Sequence, residues 1–247
     1  MLMICRYELV YFVIVGGDLT MPFEKIPKID FPLVTNFDID VHDEPLVSLS
    51  EMGFLCEPYY YNKGIPGALN DCYARKTVAE MLRIAEDSLP DGLKFKIYDA
   101  YRPIEVQQHL WDKCRADIER NHPELSESEI DKKTSFFVSK PSYDASLPSL
   151  HNTGGAVDLT LVTMSGFALN MGTLFDDFTN RAWTNHFEAY ESCEEVRTNR
   201  RVLYYAMINV GFTNFPSEWW HYDYGTKFWG YFKNRNALYN GILDAKL

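Results

Sequence analysis

Apolar positions recur along this chain with two different periods. Val78, Met81, Leu82 and Ala85 fall at i, i+3, i+4 and i+7, so Asn70 to Ser88 is predicted to be helical. Pro90-Asp91-Gly92 then signals a turn. Leu93 to Tyr98 alternates (Leu, Lys, Phe, Lys, Ile, Tyr), the period-two pattern of a half-buried strand. Pro103 opens a second helix in its first turn, where a missing N–H costs nothing, and that helix runs through Cys114 or further. Ala156 to Val162 (AVDLTLV) reads as a buried strand entered through the Gly154-Gly155 turn. Arg197 to Val210 reads as a helix stopped by Gly211, and Trp219 to Tyr224 as a final strand. Residues 22 to 70, rich in Pro, Gly, Asp and Tyr, read as loops with short strands, an arm laid over the main body. The pattern predicts a single α+β domain, a central antiparallel sheet flanked by helices. It lacks the repeated strand-helix-strand rhythm of a parallel doubly wound fold.

Composition narrows this picture. The length of 247 residues suits one large domain, placed at residues 21 to 247, and a 46% hydrophobic content supplies its core. A net charge of −11 argues against nucleic acid or an anionic membrane as partners, since both reward clustered Lys and Arg. Glu119 to Lys133 is dense in charge and reads as a solvated helix or a surface insertion. Cys5, Cys56, Cys72, Cys114 and Cys193 are widely spaced and form no disulfide framework, which suits a reducing compartment. The apolar run Leu9 to Val15 falls short of the about 20 residues a membrane span needs. Residues 1 to 20 are therefore either a signal-like segment or a leader upstream of a true start at Met21. A cytoplasmic protein is expected; a working signal peptide would make it periplasmic.

Two short segments carry the chemistry. Ser149 to Asp158 (SLHNTGGAVD) holds His151 and Asp158, and Glu218-Trp219-Trp220-His221 follows sixty residues later. Two imidazoles and a carboxylate make up the three protein ligands of a catalytic Zn²⁺, with a fourth position left open for water. Glu218 is then free to act as general base. Gly154 and Gly155 let a loop His and a strand Asp converge. Glu218 and His221 lie three apart, which on a regular strand puts them on opposite faces, so Glu218 has to sit in the entering turn or at a bulge. Arg102, at the end of the Leu93 to Tyr98 strand, is either a fixed cation for a developing oxyanion or an ion-pair partner of Asp99 or Glu105. Trp219 and Trp220 read as core.

The stretches DAYRP, SLHNTGGAVDLTL, MGTLFD (Met171 to Asp176), NRR (Asn199 to Arg201) and SEWWHY resemble the zinc D-alanyl-D-alanine dipeptidase family over roughly residues 70 to 225. The resemblance implies a hedgehog/D,D-peptidase-like fold and one Zn²⁺ on His151, Asp158 and His221. It implies Glu218 as general base and then general acid, and Arg102 as transition-state stabiliser. Ser149 matches a position that holds the substrate carboxylate, and Asp176 the acid that meets its ammonium. The implied substrate is a small D,D-dipeptide. The alternatives are a peptidoglycan D,D- or L,D-carboxypeptidase of the same clan, or a zinc- or peptidoglycan-binding module without catalysis. The family's ammonium-contacting Tyr has no clear counterpart here; Tyr59, Tyr60 and Tyr61 are candidates. Arg115 to Pro148 reads as a lid or a surface excursion.

Overall fold

The computed structural model describes residues 24–30, 38–245 and 247. The expected leader, residues 1 to 20, lies outside them. Seven strands and six helices are formed among the described residues. β1 (Leu46–Ser48) pairs antiparallel with β3 (Tyr73–Arg75) in a small ribbon. The main sheet has the order β2 (Leu55–Cys56), β4 (Leu93–Asp99), β5 (Ala156–Thr163), β7 (His221–Asp223), β6 (Thr213–Asn214). It is antiparallel except at one edge, where β2 runs parallel to β4. That edge departs from the expectation for a simple reason. The chain between the two strands passes through α1 (Tyr59–Asn62), β3 and α2 (Lys76–Asp87), a crossover rather than a hairpin.

The predicted helix from Asn70 starts later than its pattern suggested. Tyr73–Arg75 is drawn into the β1 ribbon, and the helix begins at Lys76. α3 (Ile104–Asn121) has Pro103 as its N-cap rather than within its first turn, and it extends well beyond Cys114. The charged segment forms α4 (Glu127–Phe137), which opens with a capping box between Ser126 and Glu129 and packs on α3. α5 (Glu194–Asn209) starts three residues before the predicted Arg197. The last strand is shorter than predicted because Trp219 and Trp220 lie in the turn that precedes it. A final helix, α6 (Lys227–Lys233), is capped by the Thr226 hydroxyl.

Strand β5 explains how the sheet divides its labour. Val157, Leu159 and Leu161 face a core shared with Phe95 and Ile97 of β4, Val78 and Leu82 of α2, and Leu203 and Met207 of α5. With period two, Asp158 must point to the opposite face. Trp219 and Trp220 are both in the core cluster, as the sequence suggested. No helix among the described residues is long and apolar enough to cross a membrane.

Candidate active site

The register of three adjacent strands sets Asp99, Asp158 and His221 in one row. Asp158 on β5 pairs with Asp99 on β4 and with His221 on β7. Directly opposed residues share a face of the sheet, so the three side chains meet. Asp99 reaches this row only through an irregularity. It has the same parity as the core residues Phe95 and Ile97, and a register shift between Ile97 and Asp99 turns it to the other face. His151 arrives from a single tight helical turn, residues His151–Thr153, which Gly154 closes at φ 72°. A Cβ on Gly154 would stand 2.6 Å from Leu46, and one on Gly155 2.6 Å from the Tyr224 carbonyl. Both glycines are needed for this close approach to β5.

The ring nitrogens have assigned roles. His151 Nδ1 lies 2.8 Å from the Ala100 carbonyl, and His221 Nε2 lies 3.0 Å from Asp223 Oδ2. Both oxygens only accept, so each of these nitrogens carries the proton. In the neutral rings His151 Nε2 and His221 Nδ1 are then left with lone pairs that face each other, 3.1 Å apart. Asp158 adds carboxylate oxygens 3.3 Å from the first and 3.0 Å from the second. Asp158 Oδ1 is buried and receives no hydrogen bond. Four electron-rich atoms this close repel one another unless a proton or a metal cation lies among them. Ligands about 2.0–2.2 Å from a tetrahedral zinc stand roughly 3.4 Å apart. The donor set fits a zinc ion in number, type and spacing. Burial opposes a positive charge on His221, yet the carboxylates of Asp223 and Asp158 outweigh it and favour a cation there. Thr226 fixes Asp223 in turn, through its other carboxylate oxygen at 2.8 Å.

Glu218 lies in the turn before β7, which answers the spacing problem. Its Oε2 reaches 3.8 Å from His221 Nδ1, beside the donor set. Burial pushes its carboxyl up to about 7, against the pull of the His221 and Arg102 charges. Arg102 satisfies both sequence readings at once. It is paired with Asp99 at 2.7 Å, and the same nitrogen stands 3.6 Å from Asp158 Oδ2. Gln107 accepts a further bond from it at 2.9 Å. Ser149 and Asp176 line the same cleft as the donor set, a cavity of about 470 Å³.

Two residues at the site, Gln107 and Asp223, were not singled out by sequence, and Asp99 was named only as an ion-pair partner of Arg102. An Asp two residues after a His on one strand shares its face, and that signal would have found Asp223. Of the three candidate tyrosines, the structure brings Tyr60 to the site. Its hydroxyl accepts from Arg102 at 3.3 Å and donates to Asp176 Oδ1 at 3.5 Å, and its ring lies under the guanidinium. Asp176 itself sits in the left-handed region at φ 64°, a conformation uncommon outside glycine and concentrated at functional positions.

Zinc metallopeptidases join a three-ligand donor set to a free carboxyl in this way. Comparison with known proteins places the chain within that class. Residues 60–237 match the family model described as D-ala-D-ala dipeptidase, and the chain belongs to that family. A D-alanyl-D-alanine dipeptidase of Synechocystis sp. is 28% identical over 194 residues, covering 72% of this chain and 74% of the relative. One from Escherichia coli is 32% identical over 148 residues, covering 59% of this chain and 61% of the relative. One from Enterococcus faecium is 31% identical, with coverages of 58% and 67%. Among solved structures, VanYB in complex with D-alanine-D-alanine superposes with a TM-score of 0.45 at 17% identity, covering 83% of this chain and 94% of that one.

Proposed function

We propose that this chain hydrolyses D-alanyl-D-alanine to two D-alanines at one zinc ion held by His151, Asp158 and His221. One observation carries the reading: Asp176, a largely buried carboxyl, shares a cleft with the donor set and Glu218. A dipeptide holds an ammonium and a carboxylate close together, and its pocket needs a fixed acid at the amino end. Asp176 supplies that acid, with Tyr60 holding one of its oxygens. Ser149 meets the carboxylate end. The curated dipeptidases that the chain resembles support the same substrate.

When bound, zinc polarises the scissile carbonyl and brings the pKa of water toward about 7. Glu218 takes a proton from the attacking water and passes it to the leaving amine as the C–N bond breaks. Its raised pKa suits both halves of that transfer. Arg102, held in place by Asp99 and Gln107, faces the negative charge that develops on the carbonyl oxygen. His151 and His221 are locked in their tautomers by Ala100 and Asp223 and do not rearrange.

The test is D-alanine release from D-Ala-D-Ala by the zinc-loaded protein. Turnover is expected. Absence of turnover with one equivalent of zinc bound would sink the dipeptidase reading and turn attention to longer peptidoglycan peptides, the carboxypeptidase alternative. A module without catalysis has no use for Glu218 beside its ligands.

A further inference from the structure

Beside the cleft lies a second, much smaller recess of about 30 Å³, lined by Phe136, Asp177, Thr179, Trp183 and Ser217 among others. Three residues border both spaces: Phe137, Phe178 and Glu218. Phe137 ends α4, and Phe178 lies two residues after Asp176. Their rings meet edge to face, with centroids 5.8 Å apart and planes at 73°. Phe178 makes this contact although it is 55% exposed. The pair therefore spans the gap between the α4 end and the Asp176 loop, two residues from Asp176.

We propose that Phe137 and Phe178 form a partition that sets the length of the substrate at its amino end. This inference rests on the dipeptidase reading above. A free D,D-dipeptide ends at Asp176. An N-acylated or longer peptide has to continue past Asp176, and the two rings occupy that path. Removing one ring joins the cleft to the outer recess and to solvent beside Asp177, Thr179 and Ser217. The partition excludes by shape and Asp176 by charge, so the two act independently on the same substrates.

Steady-state kinetics on D-Ala-D-Ala and on N-acetyl-D-Ala-D-Ala tests the proposal, using the zinc-loaded wild type, Phe178→Ala and Phe137→Ala. The preference for the free dipeptide in kcat/KM is expected to fall by about tenfold or more in each variant, the scale of steric discrimination in pockets. The fall comes from a gain on the acetylated substrate, with D-Ala-D-Ala turnover retained. Phe178 is more than half exposed, so its variant keeps the fold; Phe137→Ala supplies a second, separate opening. Adding Asp176→Asn to Phe178→Ala is expected to widen the gain, because the acetylated substrate then leaves no unpaired carboxylate behind. An unchanged preference in both single variants, with the fold and D-Ala-D-Ala turnover intact, overturns the partition alone. A wild type that cleaves the acetylated substrate as well as the free one overturns it too. A wild type that turns over neither removes the dipeptidase reading and the partition with it.

Discussion

The strand row and the wall of α3 and α4 border one cleft but are held by different forces. Asp99, Asp158 and His221 are 9% exposed or less, and the Asp223 carboxylate behind His221 is fully buried. All are placed by strand register, and the His221 ring is held by Asp223 Oδ2. On the wall, Phe136 of α4 is 76% exposed. Arg115 of α3 makes ion pairs with Glu127 and Asp131 of α4, beside the small buried seam of Ile118, Ile130 and Thr134. Such exposed pairs are worth roughly 0–1 kcal/mol. The contrast teaches that the proposed chemistry is built on the buried part of the molecule, and the proposed choice of substrate on a more exposed part. Changes in the row should alter rate or metal affinity, and changes in the wall should alter which peptide is cut.

Glu218→Gln gives the largest expected effect. The amide keeps the shape but cannot take a proton, so kcat should fall by about 10²–10⁴, the usual worth of a general base. Zinc should stay at one equivalent, because Glu218 is not among the three donors. Loss of the metal together with the activity would show that Glu218 is a ligand and blur the division within the row.

Asp223→Asn tests the row one layer back. Asp223 does not line the cleft, yet it sets the tautomer of His221. An amide can turn its NH₂ to the ring and stabilise the wrong tautomer. Zinc affinity is expected to weaken about 10–100-fold, read by competition with a chelator. A near-native affinity would mean that strand register alone orients His221.

These two residues also show how far the sequence reaches. His151, Asp158, Glu218 and His221 stand in two local segments, and local chemistry was enough to pick them out. The requirement that Glu218 lie in a turn followed from its spacing to His221, and the structure places it there. The place of Asp99 in the row was hidden because its parity matches the core residues Phe95 and Ile97; only the register shift against β5 exposes it. Tyr73–Arg75 looked like helix because its strand partner, Leu46–Ser48, is distant in sequence. Tyr60 could not be told from Tyr59 and Tyr61 until α1 was placed beside Arg102. What pairing over long distances decides, a single sequence does not display.

Asp176 stands where the row meets the wall, and pH separates its two tasks. Burial raises its carboxyl to about 6, with Asp158 and Asp99 adding to the rise and Arg102 opposing it. It must be ionised to hold an ammonium, so KM for D-Ala-D-Ala should fall as pH rises through about 6 and then level off. Asp176→Asn should raise KM and remove this dependence. Stability runs the other way. A carboxyl whose folded pKa lies above its unfolded value of about 3.9 favours the folded state at low pH. That contribution is lost as pH climbs toward 6, so the Asn variant should melt higher than wild type above this range. Asn also tolerates the left-handed backbone at φ 64°. A variant that melts lower at neutral pH would show that the charge of Asp176 is held by more than Arg102 and Tyr60.

The smallest effect belongs to Arg115→Ala, and it probes whether wall and row are coupled. A hydrogen-bonded chain joins them: the Ser139 carbonyl accepts from Gln107, and Gln107 accepts from Arg102. If α4 needed its ion pairs to stay in place, their loss would travel along this chain to the guanidinium in the cleft. The pairs are exposed at Glu127, whose side chain is 78% accessible, and α3 and α4 keep Ile118, Ile130 and Thr134 buried without them. The expected cost is therefore roughly 0–1 kcal/mol, a midpoint shift of at most about 4 °C, fading in high salt. Zinc content and kcat on D-Ala-D-Ala should stay as they are. A fall in kcat beyond about tenfold, with zinc retained, would mean that the exposed helix sets Arg102 through Gln107. Rate and selectivity would then no longer reside in separate parts of the molecule.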